Sequence, residues 1–348
     1  MSSMASRYHN PLWLILPKGT QRSPKLVGLQ ASFEQSLAEI LRNLKPHDNS
    51  SFHSMLWTRQ AIDALFVSRK LVKTLMADLE FPSSLWDDKW VQSYMNDSVK
   101  FLDLCIAFIS EVSRLEQQQI LLKYVQHILD PSCSPSSEQL KRATGALSDW
   151  TQKLQVRTQK LKEVPSVLQE LERTLCLPKV KKSDKGKVLM RAFYAFKVVM
   201  MFISNVLFTQ LSGCSKPLLV LQVLNDFQWS EAFNDLQATV NRELKSSLSL
   251  QKPIMLRELD QVDASSRCLN GIIIDLLKEA IEKQIDGNVA EEARRRYGEP
   301  MFDLSKGTKC LSLELELLEK RLDKLFRLLM SERSDMLDGL RASEKERM

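Results

Sequence analysis

Apolar residues recur along this chain with the period of an α-helix almost from end to end. Leu29, Phe33, Leu37, Ile40 and Leu44 follow at spacings of four, four, three and four, a single stripe along one side of a helix. Ser23-Pro24 offers a capping hydroxyl and a proline at the first helical position, where its missing N–H costs nothing. Lys45-Pro46 should end that helix, and a second should run from Ser54 to Leu79 and stop before Pro82. Ser84-Leu85-Trp86-Asp87 has the form of a loose capping box. It should open a long helix carrying Trp90, Tyr94, Phe101, Cys105, Phe108, Val112 and Leu115 on one side, continuing to Leu129.

After a loop at 130–137, Leu140, Leu147, Leu154, Leu161 and Leu168 stand at sevenfold spacing, the pattern of local coiled-coil packing. Pro165 is expected to kink or break the helix that carries them, 138–175. A lysine-rich loop (178–187) then runs into the most apolar helix of the chain (188–212). A turn region at 213–227, an amphipathic helix at 230–250 and a long helix at 253–285 follow. The stretch 291–300 reads as a charged connection. The chain closes with a helix at 312–341 whose stripe is Leu315, Leu318, Leu322, Leu325, Leu329 and Met336. No useful run has the period of a strand. These observations predict an all-α, elongated multi-helix bundle of seven or eight long helices. Residues 1–22 would form a separate apolar and basic segment, and 23–348 one helical domain.

Composition agrees. Ten glycines in 348 residues are less than half the usual share of about 7%, which suits long helices joined by few tight turns. The net charge of +6 is too modest and too dispersed for wholesale nucleic-acid binding. Six cysteines without a Cys-x-x-Cys spacing predict reduced, mostly buried thiols, and the four histidines show no metal-ligand spacing. No acidic residue precedes Glu34, a composition similar to that of a plastid or mitochondrial transit segment. Pro11-Leu12-Trp13-Leu14-Ile15-Leu16-Pro17 instead suits an apolar plug docking on the bundle.

Candidate chemistry concentrates at one joint. Lys179, Lys181, Lys182, Lys185, Lys187 and Arg191 are opposed locally only by Asp184. Gly186-Lys187 imitates the end of a phosphate loop, but Lys181 stands where the first glycine is needed and Val188 where the magnesium-binding hydroxyl belongs. The cluster is therefore either a solvated loop or a contact for an anionic membrane surface or an acidic partner. Near anionic lipid each cation contributes about 1 kcal/mol. The helix behind it is either a core helix or one lying in or across a membrane, with Val198, Met201, Phe202, Val206 and Phe208 as its candidate buried positions. Eighteen residues from Val198 to Ser215 lack a charge, yet only eleven are apolar, and extending upstream brings in Arg191 and Lys197. Asp87 and Asp88 suit the positive end of a helix dipole better than a catalytic pair. No catalytic constellation, metal cluster or cofactor motif is legible, so no cofactor is expected.

Several stretches carry a family resemblance. They are Leu16-Pro17-Lys18-Gly19, Trp86-Asp87-Asp88-Lys89-Trp90-Val91, Ser98-Val99-Lys100-Phe101-Leu102-Asp103-Leu104-Cys105, Leu177-Pro178-Lys179-Val180-Lys181, and Glu258-Leu259-Asp260-Gln261-Val262-Asp263-Ala264-Ser265. The most specific is Lys185-Gly186-Lys187-Val188-Leu189-Met190-Arg191-Ala192. Together these stretches resemble the plant BYPASS family, and the resemblance implies a non-enzymatic regulator of root and shoot development that restrains production of a root-derived mobile signal arresting shoot growth. It implies protein partners, among them the exocyst or other membrane-traffic components. It implies a cytoplasmic setting, including the endoplasmic reticulum face, with the plastid as the alternative. Two other readings stand beside it: a membrane-tethering adaptor linked to the exocyst, and a carrier or enzyme for a small apolar, carotenoid-derived metabolite using a pocket beside 193–208.

Overall fold

In the computed structural model, residues 23–46, 52–80, 88–129, 135–177, 180, 183–213, 219–249, 255–283 and 289–347 are described. They form nine α-helices and, among the described residues, no strand: α1 (Pro24–Leu44), α2 (Met55–Asp78), α3 (Asp88–Ile128), α4 (Ser137–Leu154), α5 (Gln159–Arg173), α6 (Asp184–Ser212), α7 (Ser230–Ser249), α8 (Arg257–Lys283) and α9 (Val289–Arg347). Buried apolar side chains from all nine join one contiguous core.

Local chemistry explains most of the boundaries. Ser54 caps α2 by accepting from the Trp57 N–H, and a reciprocal capping box of Ser136 and Gln139 opens α4. Ser183 caps α6 by accepting from the Gly186 N–H at 3.0 Å. Gly213 closes the same helix at φ 64°, a left-handed conformation that glycine adopts without steric cost. Ser23 occupies the cap position of α1, but its side chain makes no capping hydrogen bond; the proline behind it suffices to start the helix.

Two expectations are corrected. The helix anticipated over 138–175 divides at 155–158, and Pro165 lies inside α5 without ending it. The divide is made by tertiary contacts. Arg157 Nε donates to the Ser212 carbonyl, the Thr158 N–H donates to Glu111 Oε2, and Thr158 Oγ1 caps α5. All five heptad leucines are nonetheless buried, shared between the two helices. The second correction concerns 291–300, which belongs to α9 rather than to a connection. Tyr297, Met301 and Leu304 supply a buried stripe that carries the helix through Pro300.

α6 lies inside the bundle, against α1, α2, α3 and α5, and α9 covers α2, α3 and α8. From Val188 to Leu211 every residue of α6 is buried except the half-buried Arg191, Phe193, Asn205 and Phe208. Such all-round burial requires an all-round apolar helix, which is why its sequence imitates a membrane span. Its polar residues are accommodated inside the protein: Gln210 donates to the Phe52 carbonyl at 2.8 Å and accepts from Thr58 Oγ1 at 3.1 Å.

Candidate functional site

The joint at the start of α6 is built on Gly186. A β-carbon there would come within 2.8 Å of the Trp90 ring, so α3 closes on α6 at the one residue without a side chain. Lys185 and Lys187 flank that glycine and are half-buried. Lys185 reaches the Glu80 carbonyl at 3.4 Å, and Lys187 pairs with Asp184 at 2.7 Å. Arg191 behaves differently. Its guanidinium donates to Glu34 Oε1 (2.9–3.0 Å) and to the Asp226 carbonyl (3.0 Å), and lies 4.2 Å from the centre of the Phe227 ring. Glu34 is buried and also accepts from the Gln228 N–H, at 2.8 Å. Arg191 thus fastens α6 to α1 and to the turn before α7 and does not serve as a free surface cation. Lys179, Lys181 and Lys182 lie outside the described residues.

The five apolar candidates of α6 separate from that joint. Val198, Met201, Phe202 and Val206 are fully buried and Phe208 is half-buried against the core. The most apolar window of this helix, the one described helix long and apolar enough to cross a membrane, is 83% buried inside the protein.

One turn from the joint lies a partly open cleft of about 50 Å³, between α2, α3, α6 and the segment after α5. Trp90, Tyr94, Phe193 and Phe196 wall it, and Arg69, Asp97 and Lys197 supply its charge. Lys197 donates to both oxygens of Asp97 (2.9 and 2.8 Å) and to the carbonyl and hydroxyl of Thr174 (3.2 and 2.8 Å). Burial pulls the Lys197 ammonium down and pushes the Asp97 carboxyl up, and their mutual attraction opposes both shifts. Arg69 donates from Nε to Glu332 and from Nη2 to the Tyr94 hydroxyl, and stands 5.1 to 6.0 Å from the ring centres of Tyr94, Phe193 and Phe196. Burial raises Glu332 and Tyr94, while the Arg69 charge beside them acts to lower both.

The sequence reading of a pocket beside 193–208 reaches the α6 wall of this cleft, Phe193, Phe196 and Lys197, but neither Arg69 on α2 nor Asp97 on α3. The available signal was Lys197 itself, a lone cation in an apolar helix. Its partner lies a hundred positions away, on another helix. The expectation of mostly buried thiols also needs correction: of the described cysteines only Cys105 is buried, its thiol pushed up to about 12, while Cys176, Cys268 and Cys310 are exposed. Cys176 lies on the cleft wall. The side chains of Asp87 and Asp88 and the stretch Leu16–Gly19 lie outside the described residues. Among the described residues no group of three or more His, Cys, Asp or Glu side chains could hold a metal ion.

Fold and site together define an all-α protein whose central apolar helix is tied to its neighbours by two largely buried ion pairs, Arg191–Glu34 and Lys197–Asp97. Residues 19–163 match the family described as Protein ROH1-like. UPF0496 protein 4 of Oryza sativa subsp. japonica is 46% identical over 262 residues, 75% of this chain and 58% of the rice protein; the subsp. indica protein of the same name is 45% identical over the same length. Protein BPS1, chloroplastic, of Arabidopsis thaliana is 34% identical over 335 residues, 96% of this chain and 90% of the relative. This chain belongs to the BYPASS-like family. It spans little more than half the length of the rice relatives it matches, and no relative's name carries an enzymatic activity. No solved structure matches it.

Proposed function

We propose that this chain is a plant developmental regulator that binds protein partners through the lysine-bearing start of α6 and so restrains production of a mobile signal, without turnover of its own. Family membership supports the developmental role. The binding role rests on where the lysines stand. Lys185 and Lys187 occupy the first turn of α6, at the positive end of the helix dipole, where cations destabilise a helix and anions stabilise it. Asp184 is the only acidic residue in that turn. Helix stability therefore does not account for the lysines. Together with the N-terminal amides they form a cationic surface suited to an acidic partner. Gly186 against Trp90 and Arg191 against Glu34 hold this surface on the core, so little ordering entropy remains to be lost on binding.

Proximity labelling in plant cells tests the reading, comparing the full chain with a Lys185→Glu, Lys187→Glu double variant. The variant is expected to fold with a Tm no lower than the parent's, lose its salt-sensitive neighbours and fail to restore shoot growth in a plant lacking the protein. Full restoration of growth by the folded variant would overturn it.

A further inference from the structure

The cleft beside Lys197 has the chemistry of a ligand site, and its size narrows the class of ligand. Pockets that enclose drug-sized molecules run to about 300–1,000 Å³. This one holds about 50 Å³, against about 10–15 Å³ for a single water on the same kind of measure. It can receive a head group of a few heavy atoms but cannot enclose a large apolar metabolite.

The donors available there point to the kind of head group. Lys197 is fully occupied by Asp97 and Thr174. Arg69 is 3% exposed. It uses one N–H on Glu332 and one on Tyr94, and the remaining N–H groups of its planar fork have no partner among the described residues. A guanidinium fork fits a carboxylate with two parallel hydrogen bonds, which an ammonium does not. Of the charged groups lining the cleft, Arg69 and Lys197 are cationic and Asp97 anionic, and Glu332 reaches Arg69 from α9. Tyr94 and Phe193, with ring centres 4.9 Å apart and planes tilted by 37°, supply an aromatic wall beside the guanidinium.

We infer that the cleft binds the carboxylate of a small planar organic acid, held by the open edge of Arg69 with the body of the acid against Tyr94 and Phe193. This inference is independent of the partner reading above, because the lysines at the start of α6 take no part in it.

Cys176, exposed on the cleft wall, lets the unmodified full chain report on it. The experiment measures alkylation rates at Cys176, Cys268 and Cys310 by peptide mass spectrometry, with iodoacetate and with iodoacetamide. The two reagents differ in a carboxylate, so the ratio of their rates cancels differences in thiol reactivity. The ratio is expected to be several-fold higher at Cys176 than at the other two, and benzoate should slow Cys176 alone while benzamide does not. Arg69→Lys, which keeps the charge and loses the fork, should remove the benzoate protection without unfolding the protein. Equal ratios at the three cysteines would overturn the inference. So would equal protection by benzamide, or by inorganic phosphate, which would mark a general cationic patch.

Discussion

Lys197 and Asp97, a hundred residues apart in the chain, meet inside the bundle through hydrogen bonds of 2.9 and 2.8 Å that join α6 to α3. Both are largely removed from solvent, with side-chain exposures of 7% and 16%. Removing one partner strands a buried charge and should cost about 3–5 kcal/mol, whereas replacing both by apolar residues of similar volume should cost far less. Denaturant unfolding of Asp97→Ala, Lys197→Met and Asp97→Leu/Lys197→Met checks this. The double variant is expected to be more stable than Asp97→Ala.

Gly186→Ala should destabilise the protein by about 1–3 kcal/mol, the usual range for overpacking a well-filled contact. The added methyl would meet the Trp90 ring at 2.8 Å, so the ring must move. A shift in tryptophan emission should accompany the lower Tm. Gly145→Ala, where a β-carbon meets nothing within 4 Å, should show neither change.

The cations of the lysine joint should divide into two groups. Arg191→Ala leaves Glu34 buried without its guanidinium and is expected to cost about 3 kcal/mol. Lys185→Ala and Lys187→Ala remove half-buried side chains with weak or local partners and should fall within about 0.5 kcal/mol of the parent. Thermal or urea unfolding of the three variants separates anchoring from binding.

Acid should weaken the join between α2 and α7 through His53. Its imidazole faces Ser247 Oγ at 3.1 Å, and burial holds its pKa below the ordinary 6.5. Between the lowered folded value and 6.5 the unfolded chain carries the proton and the folded one does not, so stability rises with pH across that window. It is lost as pH falls through it. His53→Asn should lose less Tm than the parent between about pH 7.5 and 5.5. Asp97 and Glu332, both pushed up by burial, bind protons more readily in the folded chain, and so contribute in the opposite direction from the ordinary carboxylate range upward.

Stripes and heptads made most of the helices legible, because core-facing leucines must recur every three or four positions. Leu140 through Leu168 are all buried as their spacing requires. Boundaries set by tertiary contact were not legible: the divide at 155–158 depends on Glu111 and Ser212, both remote in sequence. Pro165 does not end α5, because losing one helical hydrogen bond costs less than the burial of Leu161, Val164 and Leu168 around it returns. The lysine joint could be seen in the sequence as a run of like charge. The charged groups of the cleft could not, since Arg69, Asp97 and Lys197 come from three helices and make sense only as partners; the reading of a pocket beside 193–208 reaches only its α6 wall.

The central claim is that α6 is the inner helix of a bundle and that only its lysine-bearing start faces a partner. Fractionation of plant cells expressing the C-terminally tagged chain tests it most directly, with membranes washed first in high salt and then in alkaline carbonate. The account predicts a chain that is soluble or released by salt, and a Lys185→Glu, Lys187→Glu variant that is found only in the soluble fraction. Retention of the parent through both washes would contradict it, because a helix that resists carbonate is embedded in lipid and cannot be the core of this fold.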